Sequence, residues 1–325
     1  VGSLQVNNKL QSGQRIFTGQ LKGPESFTVD DEGNLCVLGS SFCQPPGLTY
    51  PPICVSGTPD YEPICGRPHG VRMDQDGNLI VVDSYLGLYK VSPRTGEKTL
   101  LLSSEKGVDG LPFKFLNGLE ISKKNLIYFT DSSSKWERRH HKYEVIETNH
   151  LGRLLAYDPV TRTGRAVLGG LYMANGIALS PEEDYILIAE TSICRIIRYW
   201  LSGANAGKKE VFMDNLPGYP DNIRLSNTGL YRVGISTTRF PSFFSPFLDV
   251  LGPYPFLKRF IAKVTFTVIF LHKHGLFLEI NNKGDIVASF HDPDGSVTWA
   301  VSDVFEHDGK VYLGNTELPF LVVLQ

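Results

Sequence analysis

Five polar side chains in this 325-residue chain share one spacing from a turn signal, and the four of them that carry oxygen donors could together hold a hard cation. The positions eight residues before each turn are Glu25, His69, Asn117, Asn175, Asp221 and Val301, and Asn222 adds an amide directly after Asp221. Carboxylate and amide oxygens suit calcium, whereas thiolates and imidazoles would suit zinc. Two carboxylates would neutralise a divalent ion and the amides would complete its shell. Glu25, Asn117, Asn175, Asp221 and Asn222 are therefore the expected Ca²⁺ ligands. His69 is the one imidazole at these positions. Beside a cation it is the expected general base, drawing a proton from water, with Asp221 the second expected catalytic group. The ion would polarise a carbonyl or phosphoryl oxygen. The plainer alternative is that Asn-Gly and Asp-Asn only serve turns, and that His69 is a structural histidine.

The elements that must bring these residues together are readable from an internal repeat. A strand-like segment, a turn rich in Gly, Asp and Asn, and a second apolar strand recur six times. The turn positions 33, 77, 125, 183, 229 and 309 lie 44, 48, 58, 46 and 80 residues apart. Apolar/polar alternation on both sides of each turn predicts antiparallel hairpins. Hairpins repeating at a period in the forties predict an all-β fold, a six-bladed β-propeller with a central metal-binding tunnel. The first strand of each blade would line the axis, which is why one register can converge there. Residues 15–325 are expected to form this single propeller, with an insertion at about 240–263 and residues 1–14 as an N-terminal extension. The stretch Arg15 to Gln20 is expected to supply the strand that closes the ring.

Composition removes other classes. Hydrophobic residues at 42% and a mean hydropathy of -0.10 give ample side chain for a core without a membrane bias. The 32 Lys+Arg against 34 Asp+Glu leave a net charge of -2, so no nucleic-acid partner is expected. The most apolar stretch, Phe260 to Ile280, is interrupted by Lys263, His272 and Lys273 and is too polar to span a bilayer. The first residue, Val1, suggests a processed or truncated form. Four of the five cysteines crowd between Cys36 and Cys65, which favours disulfides and a secretory compartment. No Cys/His spacing supports zinc, and no GxSxG elbow or Walker loop is present.

Other motifs carry two readings each. His272-Lys-His274 is a candidate metal pair set against plain surface exposure. His291-Asp-Pro-Asp-Gly295 and Glu306-His-Asp-Gly309 read as turns. The charged run from Trp136 to Lys142 is either a substrate lid or a solvated loop. The apolar stretch Phe240 to Leu251 would dock on a membrane or a partner, or cap the tunnel mouth.

Several segments resemble the strictosidine synthase-like family, and within it the membrane-associated (hemomucin) branch. They are Gly23-Pro-Glu-Ser26, Cys65-Gly-Arg-Pro68, Tyr128-Phe-Thr-Asp-Ser-Ser-Ser-Lys-Trp136, Gly152-Arg-Leu-Leu155, Pro217-Gly-Tyr-Pro-Asp-Asn-Ile-Arg224 and the two turn motifs at 291–295 and 306–309. The resemblance runs from about residue 20 to the C-terminus. It implies a six-bladed propeller distantly related to paraoxonases and gluconolactonases, whose calcium ligands would fall on Glu25, Asn117, Asn175, Asp221 and Asn222. Strictosidine synthases use a glutamate for Pictet–Spengler condensation at what is Ser302 here, so that reaction is not expected. Pro68-His69-Gly70 resembles the paraoxonase stretch with a catalytic histidine, where the membrane-associated branch usually has Leu. Cys54 and Cys65 fit the family's disulfide, with Cys36 and Cys43 a further candidate pair. The family's usual N-terminal anchor is expected to be absent from this chain. The resemblance places it in the secretory pathway, extracellular or membrane-anchored. The expected function is a calcium-dependent hydrolase of small-molecule carboxylic esters or lactones, with peripheral membrane contact through 240–263. The alternatives are a binding or adhesion propeller with structural calcium, or a specialised synthase or cyclase.

Overall fold

All six turn positions read from the repeat adopt left-handed backbone: Gly33, Gly77, Asn125, Glu183, Gly229 and Gly309 have φ of 83°, 74°, 62°, 56°, 78° and 70°. Glycine and asparagine accept that conformation readily. Glu183 does not, and its Oε1 accepts a hydrogen bond from the Lys123 amide of the preceding repeat at 2.7 Å. The computed structural model describes residues 2–39, 58–239, 254, 256–258, 260 and 273–325.

Each turn joins the first two strands of an antiparallel sheet. After β1 (Gln14–Ile16), a two-stranded sheet is formed by β2 (Ser26–Val29) and β3 (Leu35–Leu38). Four-stranded sheets follow in chain order. The first is β4 (Pro68–Met73), β5 (Leu79–Asp83), β6 (Gly87–Val91) and β7 (Lys98–Ser103). The second is β8 (Leu116–Ile121), β9 (Ile127–Asp131), β10 (Gly152–Asp158) and β11 (Thr163–Leu171). The third is β12 (Ala174–Leu179), β13 (Tyr185–Glu190), β14 (Arg195–Trp200) and β15 (Lys209–Met213), and the fourth β16 (Gly218–Leu225), β17 (Tyr231–Thr238), β18 (Gly275–Ile280) and β19 (Ile286–Asp292). The last is β20 (Val301–His307), β21 (Lys310–Asn315) and β22 (Leu321–Leu324), completed by β1, whose Gln14, Arg15 and Ile16 pair with Val323, Val322 and Leu321. The closing strand thus starts one residue earlier, and ends sooner, than the sequence reading. The 80-residue spacing is the fourth of these sheets, whose β17 and β18 are separated by residues 239–274.

The chain is an all-β propeller with five four-stranded blades among the described residues, where the repeat predicts six. The remaining sheet has two strands, and residues 40–57, which come next in sequence, lie outside the described residues. The first strands β2, β4, β8, β12, β16 and β20 pack each on the next, and β20 returns to β2. Apolar side chains fill the wedges between sheets, for example Ile80, Val82, Leu119, Phe129 and Leu155 between the first two blades. Ala178, Leu187, Ile223, Val233 and Leu278 do the same between the third and fourth.

The expected site residues sit at a break in these first strands. Pairing with the second strand shifts register between Pro68 and Gly70, Leu116 and Leu119, Ala174 and Ile177, Pro220 and Ile223, and Val301 and Val304. His69, Asn117, Asn175 and Asp221 therefore occupy β-bulges, devices that re-aim a side chain out of the pleat. In the last blade the bulged residues are Ser302 and Asp303; Val301, counted from the turn, is a core residue instead. Asn117-Gly118 and Asn175-Gly176 make no turn. Their glycines let neighbouring strands approach: a Cβ on Gly176 would lie 2.4 Å from Asn222 Cα and 2.5 Å from Asp221 O. Backbone cannot step aside as a side chain can. Gly176→Ala is expected to cost about 3 kcal/mol or more in urea denaturation, the upper range of overpacking. Gly229→Ala, with open space around its Cβ and a φ of +78°, should cost only about 1–2 kcal/mol. Equal losses would refute the crowding argument.

Candidate functional site

Glu25, His69, Asn117, Asn175 and Asp221 line one cavity of ≈ 130 Å³. All five are buried, at 3–5% exposure. The bulges that present them are fixed from the neighbouring blade by hydroxyls at the ends of second strands. Ser84 Oγ donates to Leu116 O at 2.7 Å, Ser132 Oγ to Ala174 O at 2.6 Å, and Thr191 Oγ1 to Pro220 O at 2.7 Å. Each acceptor is the carbonyl just before a site residue: Asn117, Asn175 or Asp221. The sequence carries a signal for these hydroxyls, an acidic residue followed by a hydroxyl residue at Asp83-Ser84, Asp131-Ser132 and Glu190-Thr191. Glu25 precedes β2; its carbonyl accepts Asn222 Nδ2 at 3.3 Å and Ser302 Oγ at 3.1 Å. Asn222 is thus a brace for Glu25 and is not among the cavity's lining residues.

The two carboxylates have opposite environments. Burial opposes ionisation of Glu25, but His69 Nδ1 at 2.7 Å from Oε1 outweighs it, aided by Arg67 Nη2 at 3.2 Å from Oε2 and by Arg138. The Glu25 carboxyl is held down at about 2. Asp221 is pushed well above the usual carboxylate range, first by burial and then by the charge of Glu25; only a hydrogen bond from Asn175 counters this. Asp221 Oδ1 and Asn175 Oδ1 are buried with no hydrogen-bond partner, as is His69 Nε2; His69 Nδ1 is close to Glu25 Oε1, at 2.7 Å, but not aligned with it as a hydrogen bond. An unmet buried acceptor costs about 1–3 kcal/mol, so native chains rarely keep two in one cavity without a use. Both unmet oxygens are hard donors, and a cation would satisfy them. No cluster of three or more His, Cys, Asp or Glu side chains fit for a metal exists among the described residues, so any ion would depend on the amides of Asn117 and Asn175.

Several neighbours escaped the sequence reading. The charged run from Trp136 to Lys142 is not a solvated loop. It leads into α1 (His141–Glu147), and Arg138, His141 and Val145 line the cavity. Burial first, then the charge of Arg138, lowers His141 to about 3; its Nδ1 lies 3.1 Å from Arg138 O. Nothing in the spacing of this run distinguishes a lid from a loop, because its contacts come from a helix of only seven residues. His274 is also not surface-exposed: it is 4% exposed, its Nε2 2.9 Å from His291 Nδ1, because a neighbouring strand covers it. Cys43, Cys54, His272 and most of the 240–263 insertion lie outside the described residues.

A closed ring of antiparallel sheets with one polar cavity at the bulges of its first strands defines a β-propeller whose site lies where those strands meet. The chain belongs to the strictosidine synthase-like family: residues 117–204 match the model described as strictosidine synthase, and residues 2–37 that described as strictosidine synthase-like, N-terminal. It is 43% identical over 332 residues to the adipocyte plasma membrane-associated protein of Rattus norvegicus, covering 98% of this chain and 88% of that one. Among solved structures it is similar to a gluconolactonase from Xanthomonas campestris, with a TM-score of 0.58 at 12% identity over 97% of this chain and 90% of that one. A calcium-binding protein, regucalcin, from Agrobacterium tumefaciens gives a TM-score of 0.58 at 13% identity, over 95% and 92%. These structures share the fold. No helix among the described residues is long and apolar enough to cross a membrane.

Proposed function

We propose that this protein is a calcium-dependent hydrolase of small carboxylic esters or lactones. One observation carries the reading: two hard oxygens and one imidazole nitrogen, all buried and unpartnered, belong to residues lining one cavity. The names of its structural neighbours, a gluconolactonase and a calcium-binding propeller, support it. In this reading β2 and β3 are the first half of a sixth blade. The family's plasma membrane-associated relatives favour an extracellular or luminal site of action.

Asp221, Asn175, Asn117 and Glu25 would hold the ion, with Asn222 and Ser302 fixing the Glu25 main chain. Calcium, when bound, would polarise the substrate carbonyl and stabilise its developing charge. The rest is done by side chains. Glu25 Oε1 beside His69 Nδ1 favours the tautomer with Nδ1 protonated, which leaves Nε2 as the basic lone pair. Nε2 accepts a proton from water as that water attacks the carbonyl carbon, and later returns it to the leaving alkoxide. Phe115, edge-on to the His69 ring at 5.7 Å between centroids, limits its rotation. Ser302 supplies a hydroxyl already committed to Glu25 O and no carboxylate, so this reading assigns it no part in a Pictet–Spengler condensation.

The test is a panel of aryl esters and lactones run with chelator and after calcium is restored. EDTA is expected to lower both the melting temperature and turnover, and Ca²⁺ to restore both. If neither responds, the ion assignment is wrong. If stability responds and no substrate is turned over, calcium is structural and the protein is a binding propeller.

A further inference from the structure

We propose that Arg138 makes this site selective for compact, single-ring substrates that carry an acidic group. The inference rests on the hydrolase reading for its reaction and on the cavity's own chemistry for its selectivity. The cavity of ≈ 130 Å³ is open on one side, so it has room for one ring, as an enclosed cavity of about 150 Å³ has for benzene, while the ring's substituents reach its mouth. Phe115, Met173 and Trp299 give it apolar walls on which such a ring can lie.

Arg138 supplies the cation facing that ring. Its Nη1 donates to Glu62 Oε1 at 2.7 Å, and Glu62 Oε2 accepts the Tyr85 hydroxyl at 2.7 Å. The Tyr85 oxygen in turn accepts the Arg139 amide at 2.9 Å, so the guanidinium is braced from two elements before any ligand arrives. Among the described residues no other acceptor meets the guanidinium, although it has five N–H donors in all. The side chain is 16% exposed, and the donors left over after Glu62 are not spent on protein and open onto the cavity. Arg67 differs, being 3% exposed and paired with Glu25. Among the acids lining the cavity, Glu25 is matched by His69 and Arg67, Asp221 would face the cation, and Glu317 is exposed at the rim. A preorganised guanidinium fork with spare donors at the cavity wall recognises a carboxylate two-pronged, a geometry a neutral group cannot match.

The experiment compares 4-acetoxybenzoate with 4-acetoxybenzamide, which are nearly alike in shape and differ in charge, and measures benzoate binding by calorimetry. The wild type is expected to favour the acid by about tenfold in kcat/KM. Arg138→Met should bring that ratio toward one and weaken benzoate binding by a similar factor, with Arg138→Lys in between. Raising ionic strength from about 0.05 to 0.5 M should lower the wild-type ratio, a readout that needs no variant to fold. No preference in the wild type, or an unchanged ratio in Arg138→Met, overturns the proposal while leaving the hydrolase reading intact. Benzoate binding that depends on Arg138, with neither ester turned over, supports the proposal and removes the hydrolase reading.

Discussion

Replacing Asp221 with Asn is expected to raise the melting temperature of the metal-free protein and to abolish its response to calcium. These two changes have opposite sign, and one cause explains both. In the absence of an ion Asp221 is a carboxyl fully buried beside ionised Glu25, with Oδ1 unpartnered. Asparagine keeps the shape and the oxygen but removes the charge. Because the folded-state pKa of Asp221 lies above its unfolded value of 3.8, its cost is absent below that pH and grows as pH rises toward the folded value. The variant's advantage should therefore vanish in acid and reach about 1–3 kcal/mol near neutrality, a gain of a few degrees. With calcium the ordering reverses, since one of two negative charges facing the ion is gone and affinity should fall by about 100-fold or more. Calorimetric melting of both proteins, with and without Ca²⁺, decides it. A variant that melts lower without metal yet still gains stability from calcium would rule out Asp221 as a ligand.

His69→Gln is expected to lower kcat/KM for any ester or lactone the wild type hydrolyses by about 10²–10⁴-fold, the usual worth of a general base. Glutamine can keep a polar contact with Glu25 but cannot take a proton from water. The calcium-dependent rise in melting temperature should persist, because His69 is no part of the expected ligand set. That persistence separates lost chemistry from lost structure. Turnover within about threefold of wild type would remove His69 from the mechanism and leave it a structural partner of Glu25.

The turns were legible because backbone conformation there is a local matter. Gly33, Gly77, Gly229 and Gly309 declare it by type, and Asn125 and Glu183 follow from register. The convergence of Glu25, His69, Asn117, Asn175 and Asp221 was also legible, since equivalent positions in a ring of repeats must meet near its centre. The counting rule failed by one residue at Val301, where Ser302 stands in the bulge: β20 and β21 meet at a turn of slightly different length. Asn222, outside that count, sends its side-chain amide to Glu25 O.

What sequence alone determined is therefore the repeat, its all-β character, and the type and register of the side chains brought together. Those follow from two-residue periodicity and turn chemistry, which act over a few neighbours. What tertiary structure decided is how these groups are charged and partnered. Glu25 is ionised because His69 and Arg67 close on it, and Asp221 is costly because nothing closes on Asp221 Oδ1. Arg138 joins the site only because Glu62 and Tyr85, more than fifty residues earlier, hold it there. Burial and electrostatics depend on every element packed around a group, and no local pattern of residue types encodes them.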